Sequence, residues 1–102
     1  MTSPTSHGRV GFHLQQAAEK ALKAVLVAGG RFPPKVHDLK ALADQVAVLE
    51  PSLLGWDARL LPLNDYSVAE RYPTAGMRSR DLGPLIDETR EFVALVRRIL
   101  GG

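Results

Sequence analysis

The sequence predicts an all-α fold, and three observations carry that reading. Apolar residues recur at the three-to-four spacing of amphipathic helices in several separate stretches, no stretch keeps the alternation of a strand, and no internal repeat is present. With 102 residues the chain has room for one hydrophobic core and not for two.

Residues 1–9 hold Ser, Thr, Pro and Gly with little to bury and read as a flexible N-terminal tail, which leaves 10–102 as the helical domain. From Val10 the pattern changes: Leu14, Ala18, Ala21, Leu22 and Val25 form a helical stripe, and Glu19 stands four residues before Lys23, the spacing of an ion pair along a helix. Gly29 and Gly30 stop this first helix near Ala28, because glycine takes the left-handed conformation that ends helices. The segment "RFPPK" from Arg31 is extended, since each proline biases its predecessor away from helical angles. A new periodicity of Val36, Leu39, Leu42, Ala43, Val46 and Leu49 marks a second helix that opens near His37 and Asp38, with Asp38 in its first turn where it complements the helix dipole. After Pro51 and Ser52 come Leu53, Leu54, Ala58, Leu60 and Leu61, a short third helix weakened by Gly55 and ended by Pro62. Residues 63–80 are polar and turn-rich, with a short helical stretch between Ser67 and Arg71. The last helix is the best formed. Asp81 is its expected N-cap, Pro84 falls in the first turn, and Leu85, Ile86, Thr89, Phe92, Val93, Val96, Ile99 and Leu100 make its stripe.

Composition excludes several classes. No apolar run is long enough to cross a bilayer, and the polar start "MTSPTSHGRVGFH" lacks the core of a secretory signal, so a cytoplasmic protein is expected. Without cysteine there is neither a disulfide framework nor a thiolate metal site. The histidines, His7, His13 and His37, show no metal-ligand spacing, and Gly29–Gly30 lacks the pattern of a phosphate loop. No metal or cofactor is therefore expected. A net charge of +2 and a pI near 9.3 permit a polyanionic partner without announcing one.

Alanines 17, 21, 24 and 28 form a row of small side chains along the first helix, which lets another helix approach closely. Beside them Gln16, Lys20 and Lys23 recur at i, i+4 and i+7 on a more polar face. "FHLQQAAEKALKAVLVAGG" from Phe12, "HDLKALADQV" from His37, "ERYP" from Glu70 and the C-terminal amphipathic helix together resemble the HEPN family (higher eukaryotes and prokaryotes nucleotide-binding domain). The resemblance implies an up-and-down helical bundle, commonly dimeric, fused to or encoded beside a minimal nucleotidyltransferase. Some members are metal-independent ribonucleases that act as toxins; others are non-catalytic nucleotide- or partner-binding modules. Similar domains carry a further long helix before the glutamine motif, whereas eleven residues precede Phe12 here. The first family helix is thus expected to be shortened or missing, and the groove it leaves open favours a homodimer.

Within that resemblance the ribonuclease branch is marked by an Arg, four to six residues, then a His, a pair that supplies phosphate stabilisation and proton transfer. Arg31 and His37 meet the spacing and are the catalytic candidates, although Phe32 stands where a polar residue is usual. The candidates for nucleotide or RNA binding are Lys20 and Lys23 on the first helix and Arg71, Tyr72, Arg78 and Arg80 in the polar loop, where guanidinium groups suit phosphate and a tyrosine suits base stacking. Three readings follow: a dimeric module that binds nucleotide, RNA or a nucleotidyltransferase in a toxin–antitoxin-like system, a ribonuclease toxin, or a purely structural interaction module.

Overall fold

The computed structural model describes residues 4–32, 35, 38–66 and 82–101. Among them are four helices and no strand: α1 (Pro4–Ala28), α2 (Leu39–Leu49), α3 (Trp56–Leu60) and α4 (Leu82–Gly101), with 3₁₀ turns at Pro51–Leu53 and Leu61–Tyr66. The expected short helix between Ser67 and Arg71 and the expected cap at Asp81 lie outside the described residues.

α1 begins at Pro4 instead of Val10, so the tail expected over residues 1–9 is helical backbone from residue 4 onward. Proline suits a first helical turn, where its missing N–H has no partner to lose, and the alanine-rich stretch that follows propagates the helix. Its other end closes as expected at the paired glycines. Gly30 takes φ +80°, its N–H donates to the Val27 carbonyl at 3.0 Å, and the Arg31 N–H reaches back to the Leu26 carbonyl at 2.9 Å. These two bonds are a Schellman motif with Gly30 in the left-handed position.

Asp38 lies one residue outside α2, not in its first turn, and serves as its N-cap: the extended backbone there (φ −72°, ψ 111°) aims the carboxylate at the Lys40 N–H. Asn64 completes the cap from a distant part of the chain. Its Oδ1 accepts the Leu39 N–H at 3.0 Å and its Nδ2 donates to Asp38 Oδ1 at 3.1 Å. The single helix expected across Leu53 to Leu61 is split in two, because Leu54 is extended and Gly55 is left-handed at φ +97°. Pro62 does not end the helical run either; the chain tightens into the 3₁₀ turn that contains it.

The core gathers residues from every element. Ala18, Leu22, Val25 and Leu26 of α1 meet Leu39, Leu42, Ala43 and Val46 of α2, Trp56 and Leu60 of α3, Leu53 and Leu63 of the turns, and Leu85, Phe92 and Val96 of α4. Each such large side chain contributes about 1.5–3 kcal/mol on burial. Trp56 packs against Phe92 with ring centroids 5.0 Å apart at 51°, which pins the short α3 to the middle of α4. Leu49 at the end of α2 lies against Gly29, where a methyl group would meet its Cδ1 at 2.7 Å, so the C-terminal ends of α1 and α2 adjoin.

Candidate functional site

The glutamine motif of α1 forms a ladder of polar side chains. Gln16 Nε2 donates to Gln15 Oε1 at 2.8 Å, Gln15 Nε2 donates to Glu19 Oε1 at 3.1 Å, and Lys23 Nζ pairs with Glu19 Oε2 at 3.2 Å. Gln15 is fully buried and Glu19 nearly so. A carboxylate in that position needs both a hydrogen bond and an opposite charge, and the i, i+4 geometry of one helix provides them. The Lys23 ammonium is therefore answered from within α1.

The alanine row opens on something different. Leu14, Ala17, Ala21 and Ala24 lie along a groove between α1 and α4, where two depressions of about 520 and 290 Å³ share Ala17, Val93 and Arg97. Residue numbers rise together along both walls, so α1 and α4 run in the same direction here. The floor is apolar, made by the alanines with Val93, Val96 and Leu100. Three cations stand on it: Lys20 from α1, and Arg90 and Arg97 from α4. Among the described residues no carboxylate lines either depression, and none of these three cations forms an ion pair.

Of the catalytic and binding candidates that fall among the described residues, Lys20, Lys23 and Arg31, it is Lys20 that lines this groove. Lys23 turns to Glu19. Arg31 is exposed beyond the end of α1, where its N–H helps close that helix. His37, Arg71, Tyr72, Arg78 and Arg80 lie outside the described residues. Arg90 and Arg97 were not among the candidates. Their seven-residue separation on the most regular helix is the signal that both share one face, but the sequence does not say which face α1 lies beside. Among the described residues no three His, Cys, Asp or Glu side chains gather as a metal site requires, and no helix is long and apolar enough to cross a membrane.

Comparison with known proteins agrees with the helical architecture. No curated protein and no solved structure matches the chain. The family model described as HEPN domain matches residues 7–99, which takes in the glutamine ladder, the capped start of α2 and nearly all of α4. The chain belongs to the HEPN domain family.

Proposed function

We propose that this HEPN domain acts by binding and not by turnover, receiving an anionic partner in the groove between α1 and α4. The observation that carries the reading is the gathering of Lys20, Arg90 and Arg97 over an apolar floor with no carboxylate among the described residues that line it. Unanswered cations beside apolar surface attract a ligand that brings both negative charge and apolar contact. HEPN domains are generally associated with nucleotide or RNA binding, with toxin–antitoxin pairs and with nucleotidyltransferase partners, and they commonly dimerise. The proposal accordingly takes the chain as a homodimer in a two-component, toxin–antitoxin-like system, with nucleotide, RNA or a minimal nucleotidyltransferase as the partner.

The chemistry of the groove fits binding. Proton transfer to or from a ribose hydroxyl needs a group that titrates near neutral pH, and among the described residues lining the groove there is none. Arg31, the cation of the alternative ribonuclease pair, closes the Schellman motif at the end of α1 and does not line the groove.

The test combines cleavage and binding on the purified chain. RNA incubated with the protein and a chelator is expected to stay intact. Binding of an anionic probe is expected to weaken with salt, and each of Lys20→Ala and Arg97→Ala to lower the salt slope by about one. Chelator-resistant cleavage that disappears in both Arg31→Ala and His37→Ala, with folding retained, would overturn the proposal in favour of a ribonuclease.

A further inference from the structure

We infer that the occupant of the α1–α4 groove is an acidic amphipathic helix of a partner protein, laid along both walls. This rests on the anionic-partner reading above and narrows it to one chemistry. Length is the first argument. From Leu14 to Ala24 the α1 wall runs roughly 15 Å, and from Thr89 to Gly101 the α4 wall runs roughly 18 Å, about three turns of helix.

The floor is the second. Ala17, Ala21 and Ala24 follow one another at four and three residues, as the inner positions of packed helices do, and their small side chains let a third backbone come close. Val93 and Leu100, seven apart on α4, offer the apolar contact opposite. A nucleic-acid strand asks for aromatic faces to stack on or polar groups to read base edges, and the described floor provides neither. The third argument is the placement of charge: Lys20 flanks the seam on one wall and Arg97 on the other, where the flanking glutamates of an incoming helix would stand.

Charge also decides between occupants. A second copy paired groove to groove would bring the same three cations together twice, so a homodimer uses another face. The chain's own remaining segments are no better suited. Residues 67–81 hold Arg71, Arg78 and Arg80 against Glu70 and Asp81, and residues 1–9 hold Arg9 with no acid. Neither segment supplies the acidic complement.

The experiment uses the full chain and three probes: two designed helical peptides of about 20 residues with the same leucine seam, one flanked by Glu and one by Lys, and an oligoadenylate. Binding is read by fluorescence anisotropy, and its place by methyl NMR of Ala17, Ala21, Ala24 and Val93. The Glu peptide is expected to bind and shift these methyl signals. Lys20→Glu combined with Arg97→Glu is expected to weaken that binding at least about tenfold and to make the Lys peptide the better ligand, a swap of preference that loss of folding would not produce. Ala21→Leu, which fills the floor and leaves the charges unchanged, is expected to weaken the Glu peptide as well. Should the oligoadenylate shift the groove methyls and displace the Glu peptide, the helix would be overturned while the anionic-partner reading stands. If no probe moves those methyls, both fail. Glu-peptide binding unchanged by the double charge reversal overturns the groove as its site.

Discussion

The two flanks of α4 carry similar numbers of charges and use them in opposite ways. On one flank Glu88 and Glu91 each meet Arg59 at 2.6 Å, and the Arg59 guanidinium lies 3.7 Å over the Trp56 ring, which in turn packs on Phe92. These three charges are partnered inside the chain, and the arrangement fastens α3 to α4. On the other flank Arg90 and Arg97 face the groove, with no acid among the described residues that line it. Exposure does not separate the two sets, since Arg59 is itself an exposed side chain. Whether the charge is answered internally does, and that distinguishes a structural cation from one available to a partner.

Mutations on the two flanks should therefore behave differently. Phe92→Ala has the largest expected effect, a loss of about 3–5 kcal/mol in urea unfolding, because it empties the fully buried site beneath Trp56. A loss below about 1 kcal/mol would mean that α3 is not held on this flank. Arg59→Ala comes next: it removes two carboxylate bonds and the cation–π contact, and a lower unfolding midpoint is expected, smaller than for Phe92→Ala because such pairs are screened by solvent. Arg90→Ala and Arg97→Ala should leave stability within about 0.5 kcal/mol while weakening anion binding. If either destabilises the fold as much as Arg59→Ala, the flanks are not distinct. The smallest effect belongs to a pair outside both. The hydrogen bond from Lys40 to Asp44, with the charge of that carboxylate, raises the ammonium above its ordinary value of 10.5. Its stabilisation is complete below that pH and lost as pH climbs through the raised pKa of the folded state. Lys40→Met should remove this alkaline dependence from thermal unfolding and lower the neutral-pH midpoint by the same small amount.

Periodicity made α1, α2 and α4 legible, because burial of a continuous face is a property of neighbouring turns. The Gly29–Gly30 stop was legible for the same local reason. The i, i+4 spacing of Glu19 and Lys23 was equally visible, yet Lys23 also entered the binding candidates, since sequence alone does not reveal that Glu19 is buried and needs it. The early start of α1 was hidden by polar residues whose weak helix preference is overridden once a strong helix follows. Gly55 read as a flaw in a helix and is instead the left-handed residue from which α3 starts. Arg90 and Arg97 were missed because the groove joins segments more than sixty residues apart, and an exposed arginine on a regular helix looks the same whether it faces solvent or a cleft.

Asn64 gives α2 a dependence on the order of folding. The helix is short enough to be marginal alone, and the N–H of its first residue is satisfied by a side chain 25 positions later in the chain. Until the turn at Leu61–Tyr66 docks, the Leu39 amide has lost that acceptor and Asp38 must cap without support. The two segments should thus open and close as one unit in native-state hydrogen exchange, with the Leu39 amide reporting the docking of a turn to which it is not adjacent in the chain. Asn64→Ala would uncouple them, speeding exchange at Leu39 while the amides of α4 keep their protection.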